Sequence, residues 1–324
     1  MGLTGKNRPS RLLVTGCCGF IASHLVEKLC ETGHTVTGID WMKGSEERKI
    51  ESLHILSEYE NFRFIEGDIN LDLPRDTFDF AFHLAAIPGV RGSIDFPIET
   101  MNSNVVGTTE IFDWARKGGC RNIIYASSSS VYGLNTKIPF SEEDTLNSVN
   151  SPYAASKLAT EIIASTYTRL FPIKSVGLRF FTVYGPRGRE DMAIHKFLNW
   201  VNNEEPLTVF GDGSTKRDYT FVDDIVDGIT GVMGFMNNKM EYHSHEVFNL
   251  GNNKPVLLSE LIEMVGKIVG KDPIIDRKSE QLGDVPITFA NINKASELLS
   301  YEPKTSLKKG LKVTWDSMSE DSGN

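Results

Sequence analysis

Residues 11–22, RLLVTGCCGFIA, join a short apolar run to a glycine-rich turn and the beginning of a helical pattern. Gly16, Gly19 and Ala22 form the pattern G-x-x-G-x-x-A. The first glycine permits a tight turn, and the second lets the backbone approach a pyrophosphate at the helix N-terminus. The small third residue allows close packing of helix against strand. An ordinary glycine-rich turn has the same pattern, so the neighbouring elements must decide between the two.

The first half of the chain alternates short β-branched runs with longer helical stretches. Residues 20–31 predict a helix with one apolar face. Such an alternation predicts a parallel sheet covered by helices on both sides, which is the doubly wound α/β or Rossmann arrangement. The predicted strands are 11–16, 35–40, 61–69, 78–86, 122–128 and 175–185.

The pattern changes after the sixth predicted strand, where proline and glycine cluster at 185–188 and 206–213. Irregular segments separate three helical patches, at 191–202, 259–270 and 307–318. We therefore expect a nucleotide-binding domain over 1–180, to which later elements near 220–250 return. A smaller, interleaved mixed α/β lobe over 181–324 is expected to bind the substrate.

Composition and charge argue against several classes of protein. The 324 residues are 40% apolar and 24% charged, with 34 basic and 43 acidic residues and a net charge of −9. Nucleic-acid binding needs a basic surface, so no nucleic-acid partner is expected. No apolar run reaches the ~18 residues of a membrane span, and the polar N-terminus lacks a signal-peptide core. Four cysteines without metal-ligand spacing predict no metal and a cytoplasmic location.

An acidic residue at the end of the second predicted strand indicates which dinucleotide is bound. Asp40 lies 24 residues after Gly16, where a carboxylate binds the adenosine ribose hydroxyls. Because that carboxylate repels a 2′-phosphate, NAD is favoured over NADP. Asp68 and Ile69 close the third strand and are placed to meet the adenine. Residues 83–86 close the fourth strand, at the sheet edge where ligands bind.

Two later segments carry groups suited to catalysis. The serine-rich segment 127–133, SSSSVYG, follows the fifth strand, and Tyr153 and Lys157 lie four residues apart in a helical stretch. That spacing places both side chains on one helix face. A phenol titrates near ~10, and we expect a lysine ammonium and a cationic nicotinamide ring to lower that pKa. The phenolate would then act as general base on a sugar hydroxyl, while a strand-end serine hydrogen-bonds the reacting oxygen.

Together these motifs resemble the extended short-chain dehydrogenase/reductases, and among them the nucleotide-sugar 4-epimerases. The resemblance covers nearly the whole chain and is strongest to UDP-glucuronate 4-epimerases. It is carried by HLAA and GVR within 83–91, by YASSSSVYG at 125–133, and by LRFFTVYGPRGR and DMA within 178–193.

The resemblance implies roles for individual residues. Tyr153 is the acid/base, Lys157 its electrostatic partner, and Ser128 the hydroxyl of the triad, where many relatives have threonine. Asn104 matches a residue near the nicotinamide ribose. The residues expected at the cofactor are Gly16, Gly19, Phe20, Ile21, Asp40, Asp68, Ile69, Leu84, Ala85, Ala86, Asn104, Tyr153 and Lys157. The residues expected at a UDP-sugar are Arg91, Ser128, Ser129, Thr182, Arg189, Met192, Lys196, Val209, Phe210, Arg217, Gln281 and Asp284.

Members of this family first oxidise carbon 4 of the sugar, and the residues around the ring decide the fate of the resulting ketone. Ser129 and Ser130 stand where 4,6-dehydratases carry Asp-Glu, so dehydration is disfavoured. A uronate oxidised at carbon 4 is a β-keto acid, which loses carbon dioxide when its carboxylate stands perpendicular to the carbonyl plane. We expect the serine cluster and Thr182 to hold the carboxylate near that plane, which favours interconversion of UDP-glucuronate and UDP-galacturonate.

Alternatives remain open on the sequence alone. They are a UDP-glucuronate decarboxylase, a 4-epimerase of neutral UDP-hexoses or N-acetylhexosamines, and a non-catalytic NAD-binding sensor. The intact Tyr153, Lys157 and Ser128 argue against the sensor. The resemblance also implies a homodimer, formed through the helix around 99–117 and the helix that bears Tyr153.

Overall fold

A seven-stranded parallel sheet is the centre of the computed structural model, which describes residues 9–42, 47–279 and 285–321. The strands are β1 (Arg11–Thr15), β2 (Thr35–Asp40), β3 (Phe62–Glu66), β4 (Phe80–His83), β5 (Asn122–Ser128), β6 (Lys174–Phe180), β7 (Thr182–Tyr184), β8 (Leu207–Phe210), β9 (Lys216–Phe221), β10 (Ser244–Leu250), β11 (Pro255–Leu257) and β12 (Ile275–Lys278). The order in the large sheet is β10-β6-β5-β4-β1-β2-β3, and every pairing is parallel.

This strand order fixes the position of the ligand crevice. The chain goes outward from β1 through β2 to β3, then returns to the other side of β1 with β4, β5 and β6. Ligands of open α/β sheets bind at the carboxyl ends of the strands where the order reverses, which here is between β1 and β4. The predicted doubly wound parallel sheet is confirmed.

Helices cover the sheet and continue into the second half. They are α1 (Phe20–Glu31), α2 (Glu47–Ser57), α3 (Gly92–Asp95), α4 (Pro97–Met101), α5 (Gly107–Arg116), α6 (Pro152–Leu170), α7 (Ala193–Asn202), α8 (Val222–Lys239), α9 (Leu258–Val269), α10 (Asn293–Leu299) and α11 (Leu307–Asp321). A π-helical turn over Asn102–Val106 joins α4 to α5, so the helix expected around 99–117 is three consecutive segments. No helix within the described ranges is long and apolar enough to cross a bilayer.

The predicted strand 175–185 is wrong in one respect, because it is two strands in different sheets. At Phe181 the chain leaves the large sheet, and the Phe181 backbone N–H donates to the Leu250 carbonyl at 3.0 Å. Strand β7 then pairs with β9 in a three-stranded sheet ordered β11-β9-β7. This break puts Thr182 at the start of a strand outside the large sheet.

Two separate apolar clusters support the two sheets. The larger lies on the parallel sheet, where Leu12 and Val14 of β1 are fully buried. The second joins α7, α9 and α11 to strands β7 to β9, with Leu198 and Leu261 fully buried at its centre. Strand β10, far along the chain, lies at the edge of the parallel sheet beside β6.

Candidate active site

The loop between β1 and α1 has the tight geometry that the glycine pattern predicts. Gly16 has φ +69°, a left-handed conformation that glycine adopts without strain, and its N–H donates to the Ile39 carbonyl at 2.8 Å. A Cβ on Gly16 would lie 2.7 Å from the Cα of Ala85. Gly19 is the N-cap of α1, so the N–H groups of Phe20 and Ile21 begin the helix at an anion-binding end. This part of the structure fits a dinucleotide pyrophosphate.

Asp40 lies at the end of β2, beside the same loop, and is buried. Its Oδ2 accepts a hydrogen bond from the Cys18 backbone N–H at 2.9 Å, and its Oδ1 accepts one from Lys49 Nζ at 2.7 Å. No motif in the sequence pointed to Lys49, which lies on α2. Asp40 is placed to accept hydrogen bonds from ribose hydroxyls. A ribose there would share the carboxylate with Lys49 or would displace Lys49 from it.

Thr15, the last residue of β1, hydrogen-bonds the segment that follows β4. Thr15 Oγ1 accepts from the Ala85 backbone N–H at 3.2 Å and shares a hydrogen bond of 2.9 Å with His83 Nδ1. His83 Nε2 shares a second hydrogen bond, 3.1 Å long, with Thr108 Oγ1. Burial lowers the pKa of His83 to about 3, with a smaller contribution from Lys157, so the ring is neutral at physiological pH. Residues 84–86, expected at the cofactor, therefore follow β4 along a fixed path.

Asn104 lies in the π-helical turn and its amide is fully engaged. Its Oδ1 accepts from the Ile87 N–H at 2.8 Å, while its Nδ2 donates to the Ile87 carbonyl at 3.0 Å and to Ser156 Oγ at 2.9 Å. Asn104 thus ties the segment after β4 to α6, and its expected role beside the ribose stays a prediction.

The two residues expected at the adenine differ in orientation. Asp68 Oδ1 accepts from the Asn70 backbone N–H at 2.9 Å and from Asn70 Nδ2 at 2.8 Å, which shapes the turn after β3. Ile69 is buried in an apolar cluster and packs on Gly107, where a Cβ would lie 2.7 Å from its Cδ1. The Ile69 side chain therefore packs in the hydrophobic core and leaves little surface for an adenine.

Helix α6 brings the catalytic candidates together. Ser151 caps the helix by accepting the Ala154 N–H at 3.1 Å, and the next residue is proline, which suits a first helical position. Tyr153 and Lys157 follow one turn apart, with Lys157 Nζ 5.9 Å from the centre of the Tyr153 ring. Lys157 Nζ donates to the Ala126 carbonyl at 2.9 Å, which holds the helix against β5.

Ser128 is the last residue of β5, and its hydroxyl lies close enough to the Tyr153 side chain to favour the phenolate. Its Oγ also accepts from the Ser130 N–H at 3.1 Å and so caps the short 3-10 helix Ser129–Tyr132. The structure thus places the three predicted catalytic side chains at one point, at the carboxyl end of a central strand.

Burial is the largest influence on the pKa values of Tyr153 and Lys157. Burial raises the pKa of Tyr153, against opposing contributions from the Ser128 hydrogen bond and from Arg189. Burial also lowers the pKa of Lys157 to about 8. In the chain by itself, removing the phenol from water outweighs the groups that favour its anion. The expected lowering of the Tyr153 pKa by Lys157 and a nicotinamide ring together stays a prediction.

Several residues expected at the substrate line one small cavity. Thr182, Arg189 and Met192 are among its lining residues. Arg189 forms a two-point ion pair with Asp191, at 2.9 and 2.5 Å. On a neighbouring surface the Arg91 guanidinium lies 5.4 Å from the centre of the Phe210 ring, so these two candidates contact each other.

Other predicted substrate residues are less directly placed. Lys196 Nζ lies over the Trp200 ring at 5.9 Å, and the Val209 side chain is buried in the second apolar cluster. Contact of Val209 with a ligand would therefore involve its backbone. Arg217 is half-buried on β9 and donates to the Lys216 carbonyl at 2.9 Å. Gln281 and Asp284 lie outside the described residues.

A Rossmann sheet with a pyrophosphate loop, a ribose acceptor and a Ser-Tyr-Lys group defines a nicotinamide-dependent enzyme of the short-chain dehydrogenase type. Residues 12–251 match the NAD dependent epimerase/dehydratase family, and the chain belongs to that family. The resemblance seen in the motifs, including the dependence on NAD, is thereby confirmed.

Individual relatives agree with this assignment. A UDP-glucuronate 4-epimerase of Thermodesulfobacterium geofontis is 35% identical over 93% of this chain and 94% of that protein. The crystal structure of a Bacillus cereus UDP-glucuronic acid 4-epimerase, in complex with UDP-glucuronic acid and NAD, has 34% identity and a TM-score of 0.87, and covers 96% of this chain and 99% of that one. A Thermotoga maritima UDP-glucose 4-epimerase with UDP-glucose has 30% identity and a TM-score of 0.85, with coverage of 96% and 99%.

Proposed function

We propose that this protein interconverts UDP-glucuronate and UDP-galacturonate through a transient 4-keto sugar, with tightly bound NAD. The observation that carries the proposal is the convergence of Tyr153, Ser128 and Lys157 at the end of β5, with Arg189 near enough to favour the anion of the Tyr153 phenol. NAD, when bound, supplies the acceptor and donor for the hydrogen of carbon 4 and a cationic ring that favours the Tyr153 phenolate.

The chain's own residues then handle the proton and the orientation of the sugar. Tyr153 removes the proton of the 4-hydroxyl and later returns it, and Ser128 hydrogen-bonds the same oxygen. Lys157, one helical turn further on, stabilises the phenolate electrostatically. Its pKa of about 8 leaves the ammonium largely protonated at neutral pH, so this positive charge is available.

The carboxylate of the sugar distinguishes the leading proposal from its alternatives. We propose that Ser129 and Thr182, with Arg189, bind the carboxylate and keep it close to the plane of the 4-ketone. In that orientation the carbon–carbon bond to the carboxylate overlaps poorly with the carbonyl π system, and decarboxylation is slow. A neutral UDP-hexose has no carboxylate that could take the place of Asp191 beside Arg189.

The activity is tested by incubating the purified protein with UDP-glucuronate, UDP-glucose and UDP-N-acetylglucosamine separately and by separating the products. The expected result is UDP-galacturonate from UDP-glucuronate, with far slower turnover of the neutral sugars. Carbon dioxide and a UDP-pentose as main products would identify a decarboxylase. Retention of NAD without turnover of any of the three sugars would favour the sensor.

We further propose that residues 1–180, with returning elements near 220–250, form the cofactor domain and that 181–324 form the interleaved UDP-sugar lobe, in a cytoplasmic homodimer. The apolar clusters support an interleaved division, because the larger one joins the first 180 residues to α8, β10 and α10, and the second lies mainly among α7, α9 and α11. Four free cysteines suit a reducing compartment. Exposed Ile98, Val106 and Ile162, on the α4–α5 segment and on α6, support the dimer face. Sedimentation equilibrium at twice the chain mass is expected, and a monomer at micromolar concentration would contradict it.

A further inference from the structure

We propose that Glu161 and Arg179 are a buried positioning pair that holds the serine segment 128–130 in place and thereby limits decarboxylation of the keto uronate. The inference rests on the proposed function, and it concerns residues that do not touch the sugar. It starts from α6, on which Tyr153, Lys157 and Glu161 follow at intervals of four residues and therefore share one face.

Glu161 connects this helix face to both neighbouring strands. Its Oε1 accepts a hydrogen bond from Ser127 Oγ at 2.5 Å and one from Arg179 Nε at 2.9 Å, while its Oε2 accepts from Arg179 Nη2 at 2.8 Å. Ser127 is the residue immediately before the catalytic serine, and Arg179 is its register partner on β6. Glu161 thus fixes the end of β5 to helix α6.

Arg179 extends the contact to Tyr132, which lies beyond the other end of the serine segment. Its Nη1 donates to the Tyr132 hydroxyl at 2.9 Å, and that hydroxyl donates to Asn249 Oδ1 on β10 at 2.7 Å. Tyr132 is the last residue of the 3-10 helix. The network therefore holds Ser127 at one end and Tyr132 at the other, and residues 128–130 lie between these two fixed points.

The charges in this network point to a positional role. The side chains of Arg179 and Glu161 are only 4% and 8% exposed. Burying two charges incurs a desolvation penalty that their attraction often only offsets, and apolar replacements of similar volume are often neutral or stabilising. Net stability therefore gives a weak reason for an ion pair here. The fixed geometry of the pair gives a specific reason for its presence, because Glu161 reaches Ser127 while Arg179 reaches Tyr132.

The consequence concerns the competition after oxidation. Hydrogen return to carbon 4 and loss of carbon dioxide compete for the same keto sugar, and the outcome depends on how Ser128 and Ser129 hold its oxygens. A displacement of about 1 Å in such groups lowers a well-oriented rate by about 100-fold. Loosening the segment should slow epimerisation. It should also let the carboxylate leave the plane of the ketone, so decarboxylation should gain relative to epimerisation.

The main test is the double variant Glu161→Leu/Arg179→Met, which removes both charges while keeping the volume filled. We expect its epimerisation kcat to fall roughly 10- to 100-fold, the carbon dioxide share of product to rise about 10-fold, and KM and NAD affinity to stay within about 3-fold of wild type. Ser127→Ala and Tyr132→Phe each cut one connection, and a smaller rise in the carbon dioxide share is expected. These single variants decide the question if the double variant does not fold.

The control is Asp224→Asn, which alters another buried carboxylate that accepts the N–H groups of Lys304 and Thr305, each at 3.0 Å. It should lower the melting temperature without changing the product ratio. A wild-type product ratio in the folded double variant, or in both single variants, would overturn the positioning role while leaving the proposed function intact. Absence of epimerisation in the wild-type enzyme would instead remove the proposed function, and this inference with it.

Discussion

Replacing Gly16 by alanine tests whether the cofactor loop needs a glycine at its first position. Two separate effects are expected from the structure. At φ +69° an alanine is in the left-handed region, which costs about 1–2 kcal/mol. Its Cβ would also lie 2.7 Å from the Cα and 2.8 Å from the N of Ala85, and forced overpacking costs about 1–3 kcal/mol. We therefore expect Gly16→Ala to lower the free energy of unfolding by about 2–5 kcal/mol.

Gly33→Ala is the matched control for this prediction. Gly33 has φ +84°, but its Cβ would meet nothing within 4 Å, so only the backbone strain of about 1–2 kcal/mol applies. Urea unfolding of the NAD-free proteins gives both values, and titration with NAD gives the affinities. Gly16→Ala should also bind NAD at least about 10-fold more weakly, because Ala85 and the loop move apart, whereas Gly33→Ala should bind normally. Equal losses of stability and equal NAD affinities in the two variants would refute the close contact as the reason for Gly16.

Three further changes test other parts of the site and fold. Tyr153→Phe removes the proton acceptor, so kcat should fall by about 10²–10⁴ while NAD affinity stays near wild type; wild-type turnover would exclude Tyr153 as the base. Asp40→Asn removes the charge that accepts the Cys18 N–H and that is expected to accept the ribose hydroxyls. Because hydrogen bonds to charged groups contribute about 1.5–3 kcal/mol, NAD titration should show about 10- to 100-fold weaker binding. Burial lowers the pKa of His245 from 6.5 to about 4, so the unfolded chain takes up this proton first and stability falls as pH drops through that window. His245→Asn should therefore remove about 1–2 kcal/mol of the stability lost between about pH 7 and pH 5 in urea unfolding, and an unchanged loss would contradict it.

Local patterns in the sequence are enough to predict the parts of the site that lie close together in the chain. The turn at Gly16 and Gly19 follows from backbone conformation, and the shared face of Tyr153 and Lys157 follows from helix geometry. Asp40 follows from the regular length of a strand–helix–strand unit. Each of these features depends on spacing within one or two adjacent elements, which sequence shows directly.

Features that depend on the meeting of distant elements were not predictable in this way. The Lys49 contact with Asp40 depends on how α2 crosses the end of β2. The Glu161–Arg179 pair joins a helix to a strand; the four-residue step from Lys157 to Glu161 was a visible signal, but its partner was not. Burial, which raises the Tyr153 pKa, is likewise a property of the assembled fold.

The most direct test of the mechanism follows the hydrogen on carbon 4 of the sugar. UDP-glucuronate carrying deuterium at that carbon is incubated with the NAD-loaded enzyme in ordinary water, and the uronate product is examined by mass spectrometry and NMR. If Tyr153 handles only the hydroxyl proton, UDP-galacturonate should retain the deuterium at carbon 4 through complete inversion. Replacement of that deuterium by solvent hydrogen in the inverted product would contradict the account.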